Sequence, residues 1–513
     1  MLPTATDATA GLTGRIVRVA LAKDSLFWSG APTDPALYTN WDAPQLQFAY
    51  ATCGRLLTYR DVEGEAGKRV VPDLATALPG VTNGGRAYTF HIRRGYGFSP
   101  PSTEPVSAAS FRRMFERIFS PKLFPGSDFG PYLIAGLAAY RAGKAAHISG
   151  ISANGDTLVI RLIRPVPELL RLLAEAPYCA VPVSTPVLAH GIQTPIPSAG
   201  PYYLAALTPT AAVLKRNPNY HGPRPQHLDA IVYRFGISPS DAAAEIAQGK
   251  LDYVMEYDPA LAPDTAAARS AGSRYRLTPD ATAKVEYLQF NTARHLFADR
   301  KRRLAVQYAL DRTALAALET ALPATRLLSP RLPDFDFTPS YPLRPDLAKA
   351  RQLLGGRHFH AVFATFDPSS DPRSAAFARA VRQQLAAVGI STTILPLKNA
   401  DYIDDRLARK AARSDLIWGG GNVNNGDPVD YLQSVGLPAP ERAALARIAK
   451  LSSPERDIQA AALAARIDRE SLYAVYEDDA VPELVSRRVG CVVNQPEYAG
   501  VDLAALCLRP GVR

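Results

Sequence analysis

Strand and helix signals run through this chain in two successive series, and the second begins afresh at about Lys284. There "KVEYLQFNT" alternates as a strand and "RRLAVQYALDRTALAALE" has helical period. "FHAVFATF" is a second strand, and "AAFARAVRQQLAAV" is a helix stopped by Gly389. "ISTTILPL" and "SDLIWGG" complete the set of strands. The first series opens with the strand "RIVRVALA" (15–22). A Gly-Gly turn then leads into a strand with Tyr88, Phe90 and Ile92 on one face. Ser107 is placed as N-cap of a helix carrying Phe111, Met114, Phe115 and Ile118 on one stripe. "ANGD" before "TLVIRLI" marks a hairpin, and the segment around "TPT" (208–210) is a strand pair. "LDAIVYRF" follows as a strand, then a short helix stopped near Gly249. A restart of this kind means two α/β units, each with its own core, and 513 residues are too many for one core.

Composition narrows the class. Hydrophobic residues make up 47% and charged residues 21%, a soluble globular balance, and no apolar run is long enough to span a bilayer. The net charge of +10 has its densest cluster in "DRKRRLA" (299–305), which reads as a solvated helix face. Nucleic acid is not an expected partner, since that would need a wider basic stripe with interleaved aromatics. The first 14 residues, "MLPTATDATAGLTG", read as a flexible leader without the features of a signal peptide. That fits a cytosolic chain or an exported one whose signal has been removed. Four cysteines lack CxxC spacing and neighbouring histidines, so zinc is not expected. Cys491 and Cys507 are expected to close a short loop if the chain is exported. Cys53 with Cys179 stays open between a second bridge and two buried thiols.

The stretch "IWGGGNVNNGDPVDYL" (417–432) follows the last strand of the second series. A phosphate cradle is excluded because neither GxxxxGK[ST] nor GxGxxG is present and no helix is expected directly after it. Trp418 and Leu432 bracket it with buried-type residues, which argues against a disordered joint. Ligands in open α/β sheets sit at the carboxyl ends of strands, so this is a ligand loop; the plainer alternative is a surface turn beside a core tryptophan. Glu477, Asp478 and Asp479 read as a solvated turn rather than a cation site. His358 and His360 share a strand face but lack a third metal ligand nearby. No G-x-S-x-G elbow or HExxH occurs, so no catalytic residue, metal or cofactor is expected.

Five segments, in order, resemble the peptide/nickel-binding branch of the extracytoplasmic solute-binding proteins of ABC importers. They are "YTFHIRRGYGFSPPSTEPVSAASFRRMFERI", "GPYYL…LKRNPNYHGPRPQHLDAIVYRF", "LQFNTARHLFADRKRRLAVQYALDR", "VGISTTI" and "LIWGGG…DPVDYL". The resemblance implies an α/β fold of the two-lobed periplasmic-binding-protein-like type II, with an insert domain in lobe one. Its expected parts are a leader 1–14, lobe one at 15–45, 180–280 and 471–513, an insert at 46–179, and lobe two at 281–470. It also implies a monomeric, extracytoplasmic receptor that encloses a small or peptide-like ligand between the lobes and delivers it to an ABC permease. A ligand-sensing domain of a signalling protein is the alternative, and a hydrolase a weaker one. The ligand residues it implies are Asp24, Ser25 and Trp28 after the first strand, with Trp418, Asn422, Asn424, Asn425 and Asp427 in the loop. Dipeptide-binding members carry an Asp where this chain has Asn424, and an Arg in the loop "TFDPSSDP" (365–372), where this chain has none. Neither charge anchor of a zwitterion site is therefore expected.

Overall fold

The computed structural model describes residues 13–22, 34–37, 43–123, 133–192, 194–255, 272–279, 284–332, 338–367, 373–398, 413–421, 427–451, 454–495, 497 and 500–511. The chain divides into two compact units, Met1–Ala281 with Val481–Arg513, and Thr282–Ala480.

The first unit is built on a seven-stranded sheet. Its strands are β1 (Ile16–Ala22), β2 (Tyr202–Thr208), β3 (Ala211–Arg216), β4 (Ala230–Ile237), β5 (Tyr253–Val254) and β6 (Arg274–Pro279), joined by the returning strand Ala480–Val485. β1 lies between β4 and β5, parallel to both. Val17, Val19, Ala20 and Leu21 on it are fully buried, as a central parallel strand requires. A separate four-stranded sheet contains Ala87–His91 and the hairpin Ile151–Asn154/Thr157–Arg161. Tyr88, Phe90 and Ile92 are buried as their spacing predicts. Helix α1 (Ala108–Ile118) packs Phe111, Met114, Phe115 and Ile118 inward, and Ser110 Oγ accepts the N–H of its N-cap Ser107 at 3.2 Å. Its Arg117 forms a buried two-point ion pair with Asp34, at 2.9 and 2.6 Å. That geometry fixes α1 against the segment 34–37.

Both cysteine pairs are disulfides. Cys53–Cys179 and Cys491–Cys507 have Cα separations of 5.1 and 5.3 Å, within the range a bridge spans without backbone movement. The first closes a 126-residue separation within the first unit, a pairing the sequence alone did not decide.

The second unit holds a six-stranded sheet of β7 (Val285–Phe290), β8 (Leu322–Pro323), β9 (Phe359–Phe366), β10 (Ile390–Leu397), β11 (Leu416–Gly421) and β12 (Tyr473–Asp478). The order is β8-β12-β7-β11-β9-β10. Because β12 pairs with β7, this unit runs past 470, to Ala480. The helix expected across 302–319 is two helices, α2 (Arg300–Ala309) and α3 (Arg312–Leu318). Asp311 interrupts it by capping α3, accepting the N–H of Ala314 at 2.9 Å. The turn also lets buried Arg312 reach the carbonyls of Val475 and Gln307, at 2.7 and 2.8 Å. Helices α4 (Leu347–Leu354) and α5 (Arg373–Ala386) follow, then α6 (Pro428–Ser434), α7 (Ala439–Ile448) and α8 (Glu455–Arg469). Phe377, Val381 and Leu385 of α5 belong to the core that covers one face of the sheet. Residues of α6, α7 and α8 belong to the core on the other.

The two bridges predict that unfolded, unreduced protein takes up no alkylating label, while reduced protein takes up label at all four cysteines. Mass spectrometry of the labelled chain reads this directly. Reduction should lower stability by about 3 kcal/mol for the short loop and about 5 kcal/mol for the long one.

Candidate functional site

Register brings three chain segments to one end of the second sheet. β7 is antiparallel to both of its neighbours, and Val285, its first residue, lies opposite Gly421 on β11 and Asp478 on β12. This is the carboxyl end of β11, from which the Gly/Asn stretch departs. Gly421 has no room for a side chain, since a Cβ there would stand 2.6 Å from Val435 Cγ2. The hydroxyl of Tyr287 lies 3.0 Å from the carbonyls of both Gly420 and Val435. Backbone close approach and that hydroxyl together hold the strand end against the turn after α6.

Trp418 is inside this end. Its indole N–H is shared between Glu286 Oε2 and the Tyr476 hydroxyl, each at 2.8 Å, and Tyr476 in turn donates to Glu286 Oε2 at 2.7 Å. One ring face stacks on Phe377 at 4.5 Å between centroids, and Phe366 meets it edge-on at 5.6 Å. The expected stacking of Trp418 on a ligand is corrected here. Opposite Leu288 in the register, it points to the face covered by α5 and is only 4% exposed.

Asp427 is corrected for a similar reason. It is fully buried as the N-cap of α6, a helix not foreseen directly after the loop. Its Oδ1 accepts the N–H groups of Val429 and Asp430 at 2.8 and 3.0 Å. Its Oδ2 accepts from Arg456 of α8, which is also buried. No oxygen of the carboxylate is left in a position to serve a solute. Arg456 was not picked out in the sequence, because only the fold brings α8 to the start of α6. Asp24, Ser25, Trp28, Asn422, Asn424 and Asn425 lie outside the described residues, as does the loop 368–372.

The acidic run 477–479 is not a solvated turn. Glu477 and Asp478 are the last residues of β12 and are each 2% exposed. Glu477 stands opposite Glu286 in the register, and Lys284 bonds Glu286 Oε1 at 2.9 Å and Asp479 Oδ2 at 3.2 Å. Burial, and then the charge of Glu286, push the Glu477 carboxyl up to about 10, so it holds its proton at neutral pH. Burial opposes the charge on Lys284, but Glu286 and Asp479 outweigh it and raise its pKa. Apolar residues running straight into the acids, "YAVYED", were the signal that the strand continues through them. His360, which shares a strand face with His358 in the sequence pattern, hydrogen-bonds Ser391 and Thr393 at 3.0 and 3.1 Å. Among the described residues, no group of His, Cys, Asp and Glu is arranged to hold a metal.

Residues 69–441 match the family described as bacterial extracellular solute-binding proteins, family 5, middle region. Di/tripeptide-binding protein 1 of Pseudomonas aeruginosa is 23% identical over 440 residues, covering 80% of this chain and 78% of that one. The glutathione-binding protein of Salmonella choleraesuis is 25% identical, covering 61% of this chain and 59% of its own length. The solved structure of HbpA2 from Haemophilus parasuis superposes with a TM-score of 0.76 at 16% identity, covering 96% of this chain and 100% of that one. That likeness establishes a shared fold.

Two outcomes follow from the geometry. Asp427→Ala removes both the cap and the partner of a buried guanidinium, and should cost about 3–5 kcal/mol in urea unfolding. Asp427→Asn keeps an acceptor for the cap and should cost less. The second concerns pH. Glu477 binds a proton on folding between its ordinary value of 4.5 and about 10. Its contribution is therefore full below 4.5 and lost as pH rises through about 10. The melting temperature should fall between pH 5 and pH 9, and Glu477→Gln should flatten that fall.

Proposed function

Since the chain belongs to the bacterial extracellular solute-binding proteins of family 5, we propose that it captures a small polar or peptide-like solute outside the cytoplasm, as a monomer and without catalysis. It is a ligand-binding receptor of an ABC import system, and its partner is the membrane permease of that system. Two intact disulfides support the oxidising compartment, where such bridges persist. Among the described residues no helix is long and apolar enough to cross a membrane.

The observation that carries the site reading is the anchoring of the Gly/Asn loop at both ends. On one side Trp418 is locked to Glu286 and Tyr476. On the other Asp427 is locked to Arg456 and to the start of α6. In this reading those two residues position the loop, and Asn422, Asn424 and Asn425 offer amide hydrogen bonds to the solute. Asp24, Ser25 and Trp28 supply the opposing contacts. A neutral amide at 424 does not balance an ammonium group, so the solutes favoured are neutral, hydroxyl-rich or blocked ones.

Mass spectrometry of material released from purified protein should find such a solute. At about 100 times its dissociation constant it should stabilise the fold by roughly 2.7 kcal/mol in a thermal-shift assay. Small-angle scattering should show compaction on binding, because the solute favours the closed state. Asn424→Asp should improve binding of amines. Micromolar binding of a free dipeptide, weakened by Asn424→Ala, would overturn the neutral-solute reading while leaving the receptor role intact.

A further inference from the structure

The basic cluster at 299–305 has a structural counterpart that the import function does not use. A groove of about 510 Å³ lies among the start of α2, the length of α4 and the first residue of β9. Four cations line it: Lys301, Arg302, Lys349 and Arg357, against one carboxylate, Asp299. That carboxylate is already engaged. Its Oδ1 accepts the N–H of Lys301 at 2.9 Å, and its Oδ2 is 3.7 Å from Arg302 Nε.

Arg302 is held in place before any ligand arrives. Its guanidinium lies 4.5 Å over the Phe359 ring, and Nη1 donates to the carbonyls of Leu296 and His295 at 3.2 and 3.4 Å. Lys301, Lys349 and Arg357 are exposed and make no side-chain ion pair or hydrogen bond among the described residues. One fixed planar cation with three exposed ones beside it suits a multiply charged oxyanion. Phe359 has a face covered by Arg302, so charge rather than aromatic stacking selects the occupant. The groove also lies at the wrong end of the sheet for the imported solute. β9 is parallel to β11 with Phe363 opposite Leu416, so Phe359 lies beyond the amino end of β11, away from Gly421.

We infer that this groove is a separate anion site in the second unit that takes a phosphate group, either free or as the headgroup of an anionic phospholipid. The probes are inorganic phosphate, measured by titration calorimetry, and vesicles of phosphatidylcholine with or without phosphatidylglycerol, measured by co-sedimentation. The full-length protein should bind phosphate, or the phosphatidylglycerol vesicles alone. The first result assigns a free phosphate, the second a headgroup, and either supports the site. Binding should weaken with salt. The triple variant Lys301→Ala/Lys349→Ala/Arg357→Ala should lose at least about ten-fold in affinity. A control triple with the same charge change on the first unit, Lys122→Ala/Lys144→Ala/Lys250→Ala, should bind as the parent does. The single reversal Lys349→Glu, at an exposed position, repeats the test with little risk to folding. The inference is overturned if neither probe binds, or if both triples weaken binding equally, which would assign the effect to net charge.

Discussion

Strand β7 is hydrogen-bonded on both sides, and its register with β11 and β12 is the constraint on which the rest of the second unit depends. A backbone donor or acceptor buried without a partner is costly, so a central strand fixes both neighbours at once. A slip of one residue would turn Leu288 and Phe290 out of their core and bring Tyr287 into it. With the register as it stands, Val285, Gly421 and Asp478 meet at one end. That end is where the Gly/Asn loop leaves the sheet and where the chain enters and leaves the unit.

The polar groups gathered there follow from that meeting. Glu286 collects hydrogen bonds from Trp418, Tyr476 and Lys284, and its charge then works against ionisation of Glu477 across the strand pair. Two carboxylates so placed and so buried cannot both be charged at low cost, and one keeps its proton. The arrangement sacrifices stability at alkaline pH. In return it gives a rigid frame in which the indole, a phenol and a carboxylate hold one another in place. Asp427 and Arg456 do the same on the far side of the loop, where a cap and a buried ion pair share one carboxylate.

The two ends of the second sheet therefore differ in chemistry. At the carboxyl end of β11, acids and aromatics are internal, and Glu286 holds Trp418, Tyr476 and Lys284 together. At the amino end of β9, cations line an open groove with one engaged acid.

Local pattern carried much of this fold. Alternation in "RIVRVALA" and "FHAVFATF", helical spacing in α1 and α5, and the order of five motifs were enough for two α/β units and the family. Those signals are legible because a strand or helix buries its own periodic face, whatever it packs against. The same logic failed where a residue's role depends on a distant partner. Asp427 and Trp418 were read as ligand contacts, yet one is taken up by Arg456 and α6 and the other by Glu286, Tyr476 and Phe377. Glu477 was read as solvated because acids usually are, but the pairing of β12 with β7 buries it. Cys53 with Cys179 stays open in the sequence between a bridge and two buried thiols, and only the fold sets their Cα atoms 5.1 Å apart. Most strands and helices, and the family they compose, are legible in the chain because they depend on near neighbours; the break at Asp311, the start of α6 and the end of β12 are not. Which polar groups are occupied is settled by the fold alone, since a hydrogen bond or ion pair is made by whatever packing brings within reach.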